Sequence, residues 1–247
     1  MHQNCPLWFS GDELAHRRKH TTYNMFYAIL RMGSDNEEDK NQIRELQERC
    51  RIMDARRGYE PEDDSNFSSE AVEILRNASR HVTYLINEGY NLKRSVIFAG
   101  DHYLLSKRQR LAVMRSVATE GQLKERRYKL VPIGNLFDRE VWIDGFNTII
   151  TLEVILNRSP VFLCMDGTIR DLAALRGTYR IIPETENASR IMYDMLQEAG
   201  VSKINILLDE PVSNSGRLKT LLAEVGEEYS PELDIQIIWI TAGAGPT

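Results

Sequence analysis

The chain has 247 residues, of which 42% are hydrophobic and 27% are charged, and its formal net charge at pH 7 is −5. This composition is ordinary for a soluble globular protein, and no apolar run approaches the ~20 residues that a membrane helix needs. The N-terminus lacks the apolar core of a signal peptide, and three widely spaced cysteines do not indicate a disulfide framework. We therefore expect a cytoplasmic protein with no membrane partner.

The first region, residues 1–64, is predicted to be a helical or partly disordered N-terminal extension. Its two helix-like stretches are TTYNMFYAILRM and NQIRELQERCRIMDARR, and the acidic segment GSDNEEDK separates them. The following stretch, GYEPEDDSNFSS, is typical of a linker and ends in a helix N-cap at Ser68 or Ser69.

The second region, residues 65–130, is predicted to be a small all-α domain. Apolar residues at helical spacing predict a first helix that ends at Gly89. The stretch LKRSVIFAG predicts a second short helix closed by Gly100, and Ser106 is the expected cap of a third helix in SKRQRLAVMRSVAT.

Charge is distributed unevenly along the chain. Residues 91–130 contain ten Lys/Arg and three Asp/Glu, whereas residues 131–247 contain nine Lys/Arg and seventeen Asp/Glu. A basic block beside an acidic block suits a nucleic-acid grip next to a metal-binding centre. The alternative is a solvated helix face with chance clustering, and charge alone favours that alternative.

The third region, residues 131–247, changes to the period of strands. Four short apolar runs, EVWID (140–144), PVFLCMD (160–166), KINILLD (203–209) and DIQIIWI (234–240), alternate with helix-like segments. This alternation predicts an α/β domain with a mostly parallel sheet and helices on both faces, preceded by the small helical domain.

Three of these predicted strands end in aspartate. Ligands of open parallel sheets bind outside the carboxyl ends of the strands, and several carboxylates in one place require a cation such as Mg²⁺ or Mn²⁺. Neutral Asn147 and Ser213 would orient water or phosphate. The alternative is that each aspartate only caps the helix that follows it. The expected metal ligands are Asp144, Asp166, Asp171 and Asp209, and the expected catalytic residues are Asp144, Asn147, Asp209 and Ser213.

The stretch LCMDGTIRD resembles the haloacid-dehalogenase phosphatase signature. In that signature a nucleophilic aspartate stands two residues before the aspartate of Asp-Gly-Thr, and this chain has Cys164 there. A phosphatase that uses this motif is therefore disfavoured.

Four further stretches carry a family resemblance: GDHYLLSKRQRLAVMRS, DGFNTIITLE, CMDGTIRDLAALRGTYR and LLDEPVSNSG. With these motifs the chain resembles an uncharacterised prokaryotic two-domain family, in which a helical domain of unknown function precedes an α/β domain of unknown function. Through Asp144 with Asn147, and Asp209 with Ser213, the α/β part is similar to PIN/NYN-type nucleases. That resemblance implies Mg²⁺- or Mn²⁺-dependent cleavage of RNA.

Two functional hypotheses follow. The first is a metal-dependent phosphodiesterase, ribonuclease-like and acting on RNA. The second is a non-catalytic module that binds nucleic acid, a protein partner or a second copy of the chain. PIN-like enzymes place an acid after a late strand, and the absence of a carboxylate in WITAGAGPT favours the second hypothesis. The expected substrate-binding residues are Arg176, Arg180, Lys107, Arg108, Arg110, Arg126 and Arg127.

Overall fold

A computed structural model describes residues 56–173 and 178–239, and these form two compact units. The first unit contains residues 56–130 and 158–173, and the second contains residues 131–157 and 178–239. The predicted helices that precede residue 56 lie outside the described residues, as does Arg176.

The described residues contain eight helices, one 3-10 turn and five strands. In chain order they are α1 (Asp63–Asn66), α2 (Ser69–Asn87), α3 (Leu92–His102), α4 (Lys107–Ser116), α5 (Glu120–Lys129), a 3-10 turn (Ile133–Asn135), β1 (Glu140–Asp144), α6 (Gly145–Leu156), β2 (Val161–Leu163), β3 (Ile169–Asp171), α7 (Glu184–Glu198), β4 (Lys203–Asp209), α8 (Ser215–Gly226) and β5 (Glu232–Ile238).

The first unit is mainly helical, as its apolar spacing predicts. The Ser68 side chain caps α2 by accepting a hydrogen bond from the backbone N–H of Ala71. Ser106 at α4 and Thr119 at α5 each form a complete capping box, which satisfies backbone donors that the first helical turn leaves unpaired. The core of the unit includes Leu75, Ala78, Val82, Val96, Ala99, Ala112 and Val113.

The helix α3 continues past the position where the sequence predicts its end. Gly100 lies inside α3, which ends at His102. A Cβ at Gly100 would meet the guanidinium of Arg110 at 2.7 Å. The glycine therefore permits close packing of Arg110 and does not end the helix.

The predicted strand at residues 160–166 does not belong to the parallel sheet, and this prediction is wrong. The strand β2 pairs antiparallel with β3, and the resulting hairpin is separate from the three-stranded sheet. The hairpin packs with the helices of the first unit, where Phe162 meets Phe67 at a centroid distance of 5.1 Å. The sequence pattern places this segment in the α/β domain, whereas residues 158–173 belong to the first unit.

The second unit contains a parallel sheet with the strand order β1-β4-β5. All three strands are those that the apolar runs predict, and β4 lies in the centre. Ile204, Ile206 and Leu208 on alternate positions of β4 are 1%, 0% and 0% exposed, so they form the sheet's buried face.

The helices α6 and α8 pack on the same face of this sheet. A Cβ at Gly145, the first residue of α6, would meet Leu208 at 2.6 Å and Ile206 at 2.8 Å. A Cβ at Gly226, the last residue of α8, would collide with the Leu233 side chain. Leu233 is in register with Ile204, so it lies on the same face of the sheet as Ile206 and Leu208. Both helices therefore cover the buried face. The prediction of helices on both faces is therefore not met in the described part of this unit.

The opposite face of the sheet is mostly polar and also carries the exposed side chain of Trp142. Glu140, Trp142 and Asp144 on β1 are exposed, and the Trp142 side chain is 58% exposed. Lys203 forms an ion pair with Glu232 on this face, with 2.8 Å between Nζ and Oε1. No helix within residues 56–173 or 178–239 is long and apolar enough to cross a membrane.

Candidate functional site

Asp144 and Asp209 both lie at the carboxyl edge of the parallel sheet. Asp144 ends β1 and is in register with Leu207 of β4, and Asp209 ends β4 two residues later. Side chains two residues apart on a strand lie on the same face, so both carboxylates belong to the polar face of the sheet. From the spacing between strands and the rise per residue, this register places the Cα atoms of Asp144 and Asp209 ~8 Å apart.

Asn147 holds the carboxylate of Asp144 in one orientation. The backbone N–H of Asn147 donates to Oδ1 of Asp144 at 3.1 Å, and the Asn147 side-chain amide donates to Oδ2 at 2.6 Å. Asp144 is thus the N-cap of α6, as the capping alternative predicts. A carboxylate accepts about four hydrogen bonds or metal contacts, so this cap orients Asp144 without using all of its capacity.

The loop after β4 binds a distant segment of the chain. The Ser213 hydroxyl accepts a hydrogen bond from the Tyr179 N–H at 3.3 Å, and the Asn214 side-chain amide donates to the Tyr179 carbonyl at 2.6 Å. Asn214 has a left-handed backbone with φ of 66°. These contacts anchor the loop at the same end of β4 as Asp209.

The same contacts determine where Arg180 lies. Arg180 is exposed and directly follows Tyr179, whose backbone is held by Ser213 and Asn214. The structure therefore brings Arg180, one of the two expected substrate-binding arginines of the α/β region, to the loop that follows Asp209. The other, Arg176, lies outside the described residues.

Asp166 belongs to the first unit and is not part of this sheet edge. Its Oδ1 accepts hydrogen bonds from the Thr168 N–H at 3.1 Å and the Thr168 hydroxyl at 2.6 Å. Its Oδ2 is 2.7 Å from Arg126 and 3.1 Å from Arg170. Burial raises the pKa of Asp166, but the hydrogen bonds from Thr168 and the charges of both arginines outweigh burial and hold that pKa below its usual value.

Asp171 also lies in the first unit, at the end of β3. It is buried, and its Oδ1 accepts a hydrogen bond from the Ala173 N–H at 2.8 Å. The Arg115 guanidinium is 3.9 Å from the same oxygen and donates to the Asp171 backbone carbonyl. These contacts give Asp166 and Asp171 structural roles in the hairpin and its surroundings.

The predicted set of four metal ligands is therefore divided between the two units. Asp144 and Asp209 share a sheet edge, whereas Asp166 and Asp171 lie in the β2–β3 hairpin. Within the described ranges, no group of three or more His, Cys, Asp or Glu side chains is arranged to hold a metal ion. The candidate centre consists of two carboxylates supported by the amide of Asn147.

Two of the predicted RNA-binding residues are structural. Arg108 is buried, and its Nε and Nη2 donate to Asp63 at 2.5 and 2.8 Å. Arg110 donates to the Leu105 carbonyl at 2.9 Å and to Asp101 at 2.8 Å. Both guanidinium groups are used within the helical unit, so the prediction that they grip RNA finds no support here.

The other predicted basic residues lie on the surface of the first unit. Lys107 and Arg127 are exposed. The Arg126 side chain is 44% exposed while it pairs with Asp166. Lys124 on α5 is also exposed, whereas Lys129 pairs with Glu125 at 2.8 Å.

A buried polar cluster in the second unit is not apparent from the sequence. Glu153, Tyr179 and Thr185 are each fully buried. Oε1 of Glu153 accepts hydrogen bonds from the Tyr179 hydroxyl at 2.7 Å and from the Thr185 hydroxyl at 2.5 Å. In the sequence, the one indication of this cluster is Glu153, a charged residue among the apolar residues of a predicted helix. It does not identify Tyr179 or Thr185 as its partners.

Cys164 is poorly suited to replace the missing nucleophile. Its side chain is buried, and burial raises the pKa of the thiol to about 11. A neutral thiol is a poor nucleophile, so the structure agrees with setting aside the phosphatase motif.

Comparisons with known proteins identify the same two regions. A protein family of unknown function (DUF434) matches residues 74–129, and a domain of unknown function (DUF5616) matches residues 133–239. The uncharacterized protein MJ0935 of Methanocaldococcus jannaschii is 30% identical over 161 residues, which is 65% of this chain and 77% of that relative. No solved structure matches the chain significantly. The chain therefore belongs to an uncharacterised two-domain family, as its sequence motifs predict.

Proposed function

We propose that the α/β unit is a metal-dependent phosphodiesterase that cleaves RNA on a PIN/NYN-like fold. The observation that carries this proposal is the position of Asp144 and Asp209. They end adjacent parallel strands on one face of the sheet, at the edge where ligands of such sheets bind.

The donor atoms at this edge fit Mg²⁺ or Mn²⁺. Both ions prefer oxygen ligands, and Mg²⁺ is commonly held by one or two carboxylates while waters and phosphate oxygens complete its shell. Asp144 and Asp209 would supply those carboxylates. When bound, such an ion lowers the pKa of a coordinated water and stabilises negative charge on a phosphoryl oxygen.

Three neighbouring residues have roles that follow from their contacts. Asn147 keeps the Asp144 carboxylate oriented through two hydrogen bonds. Ser213 accepts a hydrogen bond from Tyr179, and a hydroxyl that accepts still has its own proton to donate to a phosphate oxygen. Arg180 would contribute a planar guanidinium, which binds phosphate through two parallel hydrogen bonds.

The helical unit would bind the RNA backbone through its exposed cations. Lys107, Arg126 and Arg127 remain from the predicted set, since Arg108 and Arg110 are used inside the unit. Contacts between cations and phosphates are independent of sequence and weaken as salt increases. The proposal therefore includes RNA binding that is sensitive to salt.

Calorimetric titration of the full chain with Mn²⁺ tests the metal site. We expect Asp144→Asn and Asp209→Asn each to weaken Mn²⁺ binding by at least ~10-fold. Glu232→Gln is the matched control, because Glu232 is an exposed acid at the amino end of the same sheet face. A titration in which wild type binds no Mn²⁺, or in which all three variants match wild type, rejects the metal site.

A cleavage assay tests the activity itself. The substrate is a fluorescently labelled, unstructured oligoribonucleotide, incubated with the full chain in Mg²⁺ or Mn²⁺ and then in EDTA. We expect cleavage that EDTA abolishes and that Asp144→Asn removes while Glu232→Gln retains it. Absence of cleavage in both metals contradicts the proposed activity.

One observation favours the second candidate, a non-catalytic binding module. The described residues contain no group of three or more carboxylates arranged to hold a metal ion at this edge, and Asp166 and Asp171 are used in the first unit. A scaffold of this kind binds RNA or a protein partner and is indifferent to Mn²⁺. RNA binding that persists in EDTA, together with no metal binding and no cleavage, would assign the chain to this class.

A further inference from the structure

A strip of aromatic side chains crosses two helices on the surface of the first unit. His102 ends α3, and its ring meets Tyr103 edge-on at a centroid distance of 4.7 Å. The Tyr103 hydroxyl is 3.1 Å from Nδ1 of His81 on α2. Phe98 lies one helical turn before His102, which places both rings on the same side of α3. We call these four residues, His81, Phe98, His102 and Tyr103, the aromatic strip.

Three of the four rings of the strip are open to solvent, and Tyr103 is half-buried against the helical core. Phe98 is 70% exposed, and His81 and His102 are also exposed. An exposed phenylalanine on a helix with a well-filled buried side has no packing role on that surface. The strip therefore presents ring faces and ring edges to an external ligand.

Cations extend the strip along α3. Arg94 lies one helical turn before Phe98, and Lys93 directly precedes Arg94. Lys93 and Arg94 are both exposed. The acid on this helix, Asp101, is paired with Arg110 at 2.8 Å, so its charge is compensated. The surface thus combines aromatic rings with exposed positive charge.

Leu104 adds an apolar side chain next to the strip, and its backbone has a conformation that is unfavourable for leucine. It directly follows Tyr103, is 89% exposed and has a left-handed backbone with φ of 53°. Glycine or asparagine usually occupies such positions after a helix. A leucine there is held out to solvent at a cost, and strain of this kind concentrates at functional surfaces.

We propose that the aromatic strip, with Lys93, Arg94 and Leu104, binds single-stranded RNA. Unpaired bases stack on exposed rings, and the cations contact the phosphates between them. Double-stranded RNA keeps its bases stacked inside the duplex and does not use such rings. The choice of RNA as the ligand rests on the proposed function, and the strip adds a site for substrate strands apart from the metal-binding carboxylates.

Fluorescence anisotropy measures this binding directly. The probe is a fluorescein-labelled oligouridylate of about 20 nucleotides, longer than the ~4–16 nucleotides that single-strand binding sites typically cover. It is titrated with the full chain in EDTA at low salt, so that metal-dependent cleavage is suppressed. We expect Phe98→Ala to raise Kd roughly tenfold, in line with the loss of one stacked base. Arg94→Glu is expected to raise Kd by a similar factor and to reduce its salt dependence.

Two further variants separate binding from folding. Ile97→Ala is the matched control, because Ile97 is exposed on the same helix but has no aromatic ring, and we expect its Kd to stay within about twofold of wild type. Leu104→Gly relieves the left-handed backbone, so its thermal midpoint should equal or exceed that of wild type while its Kd rises. A Kd for Phe98→Ala equal to that of wild type overturns the proposal.

The outcomes distinguish this site from the catalytic proposal. Asp144→Asn should bind oligouridylate like wild type in EDTA, whereas Phe98→Ala should not. RNA binding that depends on Phe98 without any cleavage rejects the phosphodiesterase and retains the strip. Preference for a duplex RNA of the same length, or for a polyglutamate peptide, overturns the assignment of the strip to single-stranded RNA.

Discussion

The hydroxyl of Tyr179 donates a 2.7 Å hydrogen bond to the carboxyl group of Glu153, and both side chains are fully buried. The ring of Tyr179 also packs edge-on against Phe146 at a centroid distance of 5.2 Å. Since the Tyr179 backbone binds Ser213 and Asn214, this residue connects the core of the α/β unit with the loop after Asp209.

Tyr179→Phe should destabilise the second unit by about 2 kcal/mol, because a buried carboxyl oxygen loses a donor. Tyr193→Phe is the matched control: its buried hydroxyl donates to the Leu222 carbonyl at 2.9 Å, and its loss should cost about 1 kcal/mol. Hydrogen exchange of the β4 amides reports the opening free energy of this unit. Equal losses for the two variants would contradict a special role for the Glu153 cluster.

The buried ion pair between Arg108 and Asp63 predicts a larger effect in the first unit. Asp63→Asn leaves the buried Arg108 guanidinium with the more exposed Glu60 as its counter-charge, at 3.1 Å, and the loss of the buried partner should cost about 3 kcal/mol. Asp101→Asn breaks the more exposed pair with Arg110 and should cost less than about 1 kcal/mol. Hydrogen exchange of the α4 amides measures both. A small loss for Asp63→Asn would mean that Glu60 or water compensates the charge of Arg108.

Asp166 predicts how the stability of the β2–β3 hairpin depends on pH. Its pKa is lower in the folded state, because hydrogen bonds from Thr168 and the charges of Arg170 and Arg126 outweigh the opposing effect of burial. A carboxyl group whose pKa is lower in the folded state contributes its full stabilisation at pH values above its unfolded-state pKa of ~3.9. This stabilisation is lost as the pH falls through the folded-state pKa.

Asp166→Asn should therefore lower the free energy of opening of the hairpin by about 2 kcal/mol near neutral pH. Below pH ~4 the opening free energy of the variant should approach that of wild type. Hydrogen exchange of the hairpin amides from acidic to near-neutral pH, corrected for intrinsic rates, measures the difference. Glu88→Gln is the control, since Glu88 is an exposed residue directly after the end of α2, and its acid dependence should match wild type. Parallel curves for Asp166→Asn and wild type would contradict the prediction.

Local patterns predict most of the elements because the relevant forces act over short distances. The strands β1 and β4 are apolar runs that end in Asp144 and Asp209, and the capping residues Ser68 and Ser106 begin helices as expected. Parallel register then follows from the alternation of strands and helices, which brings the two carboxylates to one edge.

The misassigned strand shows where such patterns fail. The run at residues 160–166 is as apolar as the others, but Asp166-Gly167 is a strong hairpin turn signal. Gly167 has a φ of 82°, and Cys164 closes the turn by donating its N–H to the Thr168 carbonyl at 2.8 Å. Composition identifies a buried strand, whereas the turn determines which strand pairs with it.

Contacts between distant residues explain the remaining differences. Ser213 and Asn214 bind Tyr179, which lies 34 and 35 residues earlier in the chain. Arg108 reaches Asp63 across 45 residues. A single sequence shows the chemical capacity of such groups but not their partners, so the roles of these residues depend on tertiary structure.

Gly145 packs closely against the sheet and directly follows Asp144, one of the candidate metal ligands. A Cβ at this position would meet Leu208 at 2.6 Å, Ile206 at 2.8 Å and the Leu207 carbonyl oxygen at 3.2 Å. Since one of these contacts is backbone and the other two are buried core side chains, Gly145→Ala must move α6 away from β4. Overpacking of this kind costs about 1–3 kcal/mol.

The same movement should disturb the hydrogen bonds between Asn147 and Asp144, because both flank the displaced residue. We expect Gly145→Ala to weaken Mn²⁺ binding by at least ~10-fold while circular dichroism shows a folded chain. Gly216→Ala in α8 is the control: a Cβ added at Gly216 would have no atom within 4 Å, so its stability and Mn²⁺ affinity should be retained. Undiminished Mn²⁺ affinity in Gly145→Ala would separate the metal site from the start of α6.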